Sequence, residues 1–191
     1  TPGSVAGLFH IHQKLGKMPM KELVQPAIQA AKEGVKVDAF LEMVIKLVAP
    51  AVTSHPTGKA LFMPNGNYPK QGSLWKMHNL ANTMEYLSLH GPDEFYLGEI
   101  AKEVALAQQN NGGYLTREDF ENYKVIEREP LLLPYRDHEI CTNPPPSAGG
   151  ALASFTLKLM EKYSLSSFGF GSREHLNALV NAMMNTSVAR A

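Results

Sequence analysis

The first residue of the chain, Thr1, has the type and position of a possible nucleophile. An N-terminal threonine can attack a carbonyl carbon when its own α-amine acts as the base. Pro2 and Gly3 follow Thr1 and predict a turn, whereas a nucleophile of this kind is expected on a strand. The sequence therefore favours a turn residue at Thr1 and leaves the nucleophile as the alternative.

A second segment with possible chemistry is residues 143–150, in which three prolines lead into Ser147, Ala148, Gly149 and Gly150. Serine caps helices by accepting an amide hydrogen bond, and glycines permit close backbone approach. The free amides of a helix N-terminus can also bind an anion. No lysine follows at the spacing of a phosphate loop, and the dinucleotide-binding pattern of glycines is absent. The segment predicts a strand exit and a helix entry capped by Ser147, with anion binding as the open alternative.

The histidines, the acidic residues and the cysteine form no recognisable site. The seven histidines are scattered, and His10 and His12 stand two residues apart, so they cannot share a helix face. The single cysteine, Cys141, excludes an internal disulfide and a cysteine-based zinc site. Residues 116–119 resemble a capping box, which favours a role at a helix terminus over a general acid–base pair. The sequence predicts no metal site, no cofactor, and no catalytic or substrate-binding residue in this chain.

Charge and hydropathy exclude several classes of partner. The 191 residues include 18 Lys and Arg against 18 Asp and Glu, so no net charge points to nucleic acid or to a polyanionic surface. We find no apolar run long enough for a membrane-spanning helix and, at the N-terminus, none of the regions of a signal peptide. The length suits one domain or a part of a larger one.

Helix start and stop signals dominate the chain and predict its mainly helical character. The predicted helices begin at or near Ser4, Pro19, Asp38, Ser73, Pro92, Thr116, Ser147 and Ser172, and the last one runs to Ala191. Ser4 is expected to cap the first helix. The second is expected to be kinked or split by Pro26 and to bury a stripe of apolar residues, namely Leu23, Val24, Ala27, Ile28 and Ala31. The third helix is expected to stop before Pro50.

Short extended segments complete the expected inventory. Residues 125–133 and 139–142 predict two strands, and residues 60–63 predict a third, short one inside an irregular connection. The helix from Ser73 is expected to close at Gly91, and the helix from Pro92 is expected to run through to Gly112. Strands this few need a partner sheet, because a hairpin by itself is marginal in water.

Several segments together resemble one family, the gamma-glutamyltranspeptidases, in their large subunit. The segments follow the family's order and spacing across nearly the whole chain, which is more specific than any single motif. They are residues 1–7 (TPGSVAG), 25–27 (QPA), 91–96 (GPDEFY), 111–113 (NGG) with 116–119 (TRED), 134–136 (PYR) and 144–150 (PPPSAGG).

The resemblance implies a fold and a partner. The fold is α+β and predominantly helical, with two or three short strands, and is a fragment of the αββα sandwich of N-terminal nucleophile hydrolases. Residues 1–191 would form a single domain fragment, the middle and C-terminal part of a large subunit. The partner would be the small catalytic subunit, which the precursor releases by cutting itself. The family resemblance also suggests a periplasmic or secreted location.

The resemblance further implies an acyl-transfer reaction whose main groups lie outside this chain. A threonine at the start of the small subunit, beyond Ala191, would attack a gamma-glutamyl amide such as that of glutathione and pass the acyl group to water, an amino acid or a peptide. The family's oxyanion-hole serines belong to the same subunit, and its substrate-carboxylate arginine lies upstream of Thr1. Thr1 matches an internal family threonine, so the chain alone is expected to be inactive.

The last predicted helix departs from the family's pattern. The family usually carries Glu-Ala-x-Lys-x-Ala-Tyr-Ala-Asp-Arg, and residues 181–190 read Asn-Ala-Met-Met-Asn-Thr-Ser-Val-Ala-Arg. Arg190 keeps the family residue. The glutamate, lysine, tyrosine and aspartate are replaced by Asn181, Met184, Ser187 and Ala189. This departure motivates the alternative of a non-catalytic relative, or a truncated gene product, that acts as a scaffold or binding module.

Overall fold

Helices form most of the secondary structure, and the strands are few and short. The structure, a computed structural model, describes residues 1–190. Its coordinates divide the chain into two compact units, Thr1–Val125 and Ile126–Ala191. The expected α+β class, predominantly helical with few strands, is confirmed. The assignment of residues 1–191 to a single domain stays a prediction.

The first unit contains eight helices, two two-residue strands and a 3-10 turn at Pro64–Gly66. The elements are α1 (Ser4–Leu15), α2 (Met20–Glu33), β1 (Val35–Lys36), α3 (Ala39–Val52), α4 (Pro56–Phe62), β2 (Leu74–Trp75), α5 (His78–His90), α6 (Asp93–Tyr96), α7 (Glu99–Asn110) and α8 (Arg117–Glu121).

The second unit contains a hairpin, two helices and a 3-10 turn at Leu165–Ser167. The elements are β3 (Leu131–Tyr135), β4 (His138–Thr142), α9 (Ala148–Met160) and α10 (Arg173–Arg190). Within residues 1–190, no helix is both long and apolar enough to cross a membrane.

Helices α2 and α5 pack against each other and form the first apolar cluster. Its buried members are Ile28, Ala31 and Ala81. Met77 N donates a 2.8 Å hydrogen bond to Ala31 O, which fixes the entry of α5 to the end of α2. Beside this contact, β1 and β2 pair antiparallel, with Val35 opposite Trp75. The Trp75 indole is half-buried and donates to Leu61 O at 3.0 Å.

The second apolar cluster lies where α6, α7 and α8 meet. Phe120 is completely buried there, and the ring of Tyr96 stacks on Tyr123 with centroids 5.3 Å apart. The Tyr96 hydroxyl donates to Pro2 O at 2.8 Å and accepts from Ala6 N at 3.1 Å. Burial raises the pKa of the Tyr96 phenol, which keeps it neutral as a donor. Tyr96 therefore ties the N-terminal segment to this cluster.

In the second unit, α9 contacts both the hairpin and α10. Strands β3 and β4 pair antiparallel around Arg136, which has a φ of 52° at the turn. Helices α9 and α10 share a third apolar cluster, whose buried members are Met160, Ala178 and Ala182. The hydroxyl oxygens of Thr156 and Thr186 lie 2.7 Å apart at this interface. The cluster thus combines small side chains of α10 with the large side chain of Met160 on α9.

One predicted proline effect is wrong, because α3 continues through Pro50 to Val52. Helix α2 is one helix through Pro26, so its first turn is not split off, and the alternative of a kink at Pro26 stays a prediction. Proline fixes φ at a helical value and removes only one hydrogen bond at its own position. The buried side chains of Ile45 and Ala49 lie just before Pro50 and provide packing that favours the continued helix.

Three other element predictions are also wrong. The strand expected at residues 60–63 falls mostly in α4, and the helix expected from Ser73 begins at His78. Leu74–Trp75 is a strand instead because it pairs with β1, a contact that local propensity cannot reveal. The helix expected from Pro92 to Gly112 is broken at Gly98, where the backbone is extended between α6 and α7.

The ends of the helices agree better with the sequence than their buried faces do. Gly34 and Gly91 end α2 and α5 with positive φ, as expected. Ser4 is the first residue of α1 and does not cap it, because Gly3 occupies the cap position. The predicted stripe on α2 is narrower than expected, since Leu23 is 52% exposed and Ala27 is also exposed.

The second cluster yields a stability prediction. Replacing the buried Phe120 by alanine removes the centre of the cluster and leaves a cavity, so the free energy of unfolding should fall by about 3–5 kcal/mol. The matched control is Phe170→Ala, because the Phe170 side chain is 100% exposed and its removal should leave stability nearly unchanged. Urea unfolding followed by circular dichroism measures both variants, and equal losses would contradict the assignment of Phe120 to the core.

Candidate functional site

Thr1 lies beside the start of α8 in the first unit. Its hydroxyl donates a 3.0 Å hydrogen bond to Asp119 O. A backbone carbonyl cannot take a proton as a general base, so this contact does not prepare Thr1 for nucleophilic attack. The geometry suits the favoured reading of Thr1 as a structural turn residue.

The predicted capping box at residues 116–119 is confirmed. Thr116 Oγ1 accepts from Asp119 N at 3.2 Å, and Thr116 N donates to Asp119 Oδ2 at 2.8 Å. The Thr116 hydroxyl also donates to the same carboxylate oxygen at 2.7 Å. Hydrogen bonds from the Thr116 amide and then from its hydroxyl lower the pKa of Asp119. A carboxylate held ionised by its own helix cap serves the fold and is poorly suited to proton transfer.

A cleft of about 950 Å³ lies along α6, α7 and α8. Arg117 is its most strongly bonded cation. Its guanidinium donates to Glu121 Oε1 at 2.7 Å, to Gly98 O at 3.0 Å and to Leu97 O. These bonds hold the two carbonyls exposed by the break between α6 and α7, and they leave the guanidinium little capacity for a substrate carboxylate.

The other charged groups of this cleft are also engaged. Lys102 lies 3.2 Å from Glu99, and Glu94 accepts from the Tyr86 hydroxyl at 2.8 Å. That bond raises the pKa of the Tyr86 phenol. The cleft therefore offers paired surface charges and apolar walls, without the nucleophile and base that acyl transfer requires.

The histidine side chains with recorded contacts, and Cys141, lie apart from one another in the described part of the chain. Over residues 1–190, no group of three or more His, Cys, Asp or Glu side chains is placed to hold a metal ion. His12 contacts Met18 O at 2.7 Å, and His175 Nδ1 accepts from Gly171 N at 3.0 Å, so both serve local backbone. Cys141 is exposed on β4.

The segment at residues 143–150 is a helix entry, but Ser147 does not cap it as predicted. The Ser147 hydroxyl makes no capping bond, and its amide donates to Pro144 O at 3.2 Å. Gly150 is buried, and a Cβ at that position would lie 2.5 Å from Asn143 O and 2.6 Å from Thr142 Oγ1. The glycine therefore lets α9 approach the end of β4. This packing explains why a glycine stands at position 150, and the explanation does not require a bound anion.

Two residues with clear structural roles were not singled out from the sequence. Tyr96 and Arg117 both lie in the segments that resemble the family. Each side chain donates a hydrogen bond to the backbone carbonyl of a residue distant in sequence, Pro2 for Tyr96 and Gly98 for Arg117. No local pattern marks such contacts, because they depend on how α6, α7 and α8 meet. Their presence shows that these family segments build the scaffold of the first unit.

Comparison with known proteins places the whole chain within one set of relatives. A family model described as gamma-glutamyltranspeptidase matches residues 1–191. Glutathione hydrolase proenzyme from Escherichia coli K12 is 37% identical over 183 residues, which cover 95% of this chain and 32% of the relative. Acylase ACY 1 proenzyme from Pseudomonas sp. SE83 is 30% identical over 191 residues, which cover all of this chain and 34% of the relative. The chain thus spans about a third of the length of the curated relatives that it matches.

A solved structure gives the same result for the fold. The crystal structure of Helicobacter pylori gamma-glutamyltranspeptidase superposes with a TM-score of 0.92 and 29% identity, covering 100% of this chain and 55% of that chain. The expected relation to a fragment of that fold is therefore confirmed.

The proline-rich segment yields a prediction with a matched control. Gly150→Ala should lower the free energy of unfolding of the second unit by about 1–3 kcal/mol, because the added methyl meets backbone and Thr142 atoms. Gly149→Ala has open space, so it should be neutral or stabilise α9 by up to about 1 kcal/mol. Thermal unfolding of both variants measures the difference. Equal behaviour of the two variants would show that Gly150 does not fix the contact between α9 and β4.

Proposed function

The chain belongs to the gamma-glutamyltranspeptidase family, and we propose that it is the middle and C-terminal part of the large subunit of a gamma-glutamyltransferase or hydrolase. The observation that carries this proposal is the match of every residue from 1 to 191 to the family model, together with the close superposition on a solved member. The complete enzyme would cleave gamma-glutamyl amides such as glutathione. The glutathione hydrolase from E. coli, at 37% identity, supports this class of substrate.

The proposed reaction is acyl transfer through a threonine that lies outside residues 1–191. The threonine hydroxyl attacks the gamma-carbonyl carbon while an amine accepts its proton, and the amine of the substrate leaves once it has been protonated. Water or an acceptor amine then attacks the gamma-glutamyl ester and regenerates the threonine. Hydrogen-bond donors of an oxyanion hole stabilise the negative oxygen in both steps.

The side chains of this chain support a location of the nucleophile elsewhere. The hydroxyls of Thr1 and Thr116 are donors to a carbonyl and to a capping carboxylate, respectively. The guanidinium of Arg117 is bonded to two carbonyls and Glu121. We therefore assign this chain a structural role, with the small catalytic subunit of the same precursor as its partner.

The second candidate function is a non-catalytic relative that serves as a scaffold or binding module. The observation that favours it is the replacement of the family's charged residues and tyrosine in residues 181–190. In the structure, Met184 and Ser187 are exposed on α10, so these replacements change a surface. Proteins that keep a fold and lose an active site are expected to retain the buried contacts and to vary at such positions.

The proposal predicts no turnover by the chain of residues 1–191 alone. Release of a chromophore from a gamma-glutamyl anilide should stay at the level of the buffer, because the hydroxyls of Thr1 and Thr116 donate to a carbonyl and to a capping carboxylate. The complete precursor, which would supply both the small subunit and the region upstream of Thr1, should produce turnover, and the E. coli glutathione hydrolase serves as the positive control. Turnover by the chain alone would contradict the assignment of the chemistry to the partner.

The same assay separates the two candidate functions. A complete precursor that cleaves the anilide supports the enzyme. A complete precursor that folds and remains inactive, while the positive control is active, supports the non-catalytic relative. The coding sequence that follows Ala191 provides an independent check, because a small subunit that opens with a threonine supports the enzyme.

A further inference from the structure

Asn65 and Gly66 lie in the exposed connection between α4 and β2. Both residues are exposed, and both have a positive φ, 63° at Asn65 and 77° at Gly66. The left-handed region is uncommon for a residue that has a side chain, although asparagine tolerates it better than most. The backbone at Asn65 is therefore held in a conformation of low intrinsic preference.

Few hydrogen bonds hold this Asn-Gly pair in place. The Gly66 amide donates to Met63 O at 2.9 Å, and Asn65 O accepts from Asn67 Nδ2 at 3.3 Å, which is a long contact. Within residues 1–190, the side-chain amide of Asn65 has no hydrogen-bond partner. One ordinary hydrogen bond therefore has to break before the Gly66 nitrogen is free to move.

An asparagine followed by glycine contains both groups of an intramolecular acyl transfer. The Gly66 backbone nitrogen is the nucleophile, and the side-chain carbonyl carbon of Asn65, Cγ, is the electrophile. Because the two groups belong to adjacent residues, their effective concentration is high. Glycine has no Cβ to hinder the approach, and its backbone reaches the required conformations easily. The surroundings also leave room, since a Cβ built at Gly66 would have no atom within 4 Å.

We propose that Asn65 is a site of spontaneous deamidation in the folded protein, with water as the co-reactant. The Gly66 nitrogen loses its proton to solvent and attacks Asn65 Cγ. The bond between Cγ and Nδ2 then breaks, ammonia leaves with a proton from solvent, and a five-membered succinimide remains. Water opens this ring and gives aspartate when the Gly66 nitrogen leaves Cγ, or isoaspartate when it leaves the main-chain carbonyl carbon. The net change consumes water, releases ammonia and is independent of the proposed enzymatic reaction.

The chain has one other Asn-Gly pair, Asn111 and Gly112, which follows α7. Asn111 Nδ2, the nitrogen that would leave, donates to Ala107 O at 2.7 Å, and Asn111 N donates to the same oxygen at 3.2 Å. On the other side of the pair, Gly113 N donates to Gln108 O at 2.7 Å. Attack on Asn111 Cγ requires several of these bonds to break, so the second pair is held more tightly than the first.

The fold should tolerate the product. Isoaspartate adds a methylene group to the main chain of this turn, and both products add a negative charge. The two ends of the connection are held by separate contacts, because Met63 N donates to Lys59 O at 2.8 Å and Gln71 N donates to Glu42 Oε2 at 2.7 Å. The structural change should therefore stay within residues 63–67, and modified protein should accumulate in the folded state.

The test compares the two Asn-Gly pairs within one protein. The complete precursor is incubated in mildly alkaline buffer, folded or unfolded in guanidinium chloride, and peptide mass spectrometry follows aspartate and isoaspartate at Asn65 and Asn111. The rate in denaturant divided by the rate in the folded protein gives the protection of each site and cancels the effect of neighbouring sequence. Protection should be at least about fivefold smaller at Asn65, the factor expected from one additional hydrogen bond at Asn111.

The matched control is Asn65→Gly, because glycine adopts a positive φ without strain and has no side-chain amide to lose. This variant should melt at nearly the same temperature as the parent and should show no change of mass at residue 65. Equal protection of Asn65 and Asn111 would overturn the proposal. It would also be overturned if Asn65 converts in denaturant and stays unchanged in the folded precursor.

Discussion

The structure depends on one constraint: the apolar surface of these helices is larger than the chain itself can cover. Helix α10 shows it clearly, because Ala178 and Ala182 are buried against α9 while Val180, Met183 and Met184 are more than half exposed. Helices α1 and α3 show the same feature. Their exposed apolar residues at helical spacing are Leu8, Ile11 and Leu15 on α1, and Phe40, Met43 and Leu47 on α3. Exposed apolar surfaces of this kind are typical of sites on which further protein packs.

The segments that resemble the family have architectural roles in the structure. The capping box at Thr116 starts α8, Tyr96 ties the N-terminal segment to the second cluster, and Gly150 brings α9 against β4. Each contact is local to one unit and involves backbone atoms. Such contacts hold the helices of each unit in a fixed arrangement.

The sequence predicted the features that depend on local chemistry. The capping box, the glycine ends of α2 and α5, strand β4 and the mainly helical class follow from cap types, positive φ and short-range patterns. The family followed from several segments in order, which no single motif could show.

The features that the sequence did not predict depend on contacts between distant residues. Leu74–Trp75 became a strand because β1 lies beside it, and Ser147 makes no cap because its amide turns back to Pro144. Leu23 and Ala27 on α2 were predicted to be buried and are exposed. The periodicity of a sequence identifies the apolar face of a helix and does not show whether the same chain covers that face. For the same reason, the sequence did not show that α10 leaves Val180 and Met184 exposed while Leu179 packs toward α9.

The central claim is that residues 1–191 position a reaction whose nucleophile belongs to another polypeptide. Its most direct test is to mix the assembled complex with a gamma-glutamyl donor, quench with acid during turnover, and locate the bound gamma-glutamyl group by mass spectrometry of the separated subunits. The account predicts the acyl group on the N-terminal threonine of the small subunit and none on this chain. An acyl group on Thr1, Thr116 or any other residue of this chain would contradict it.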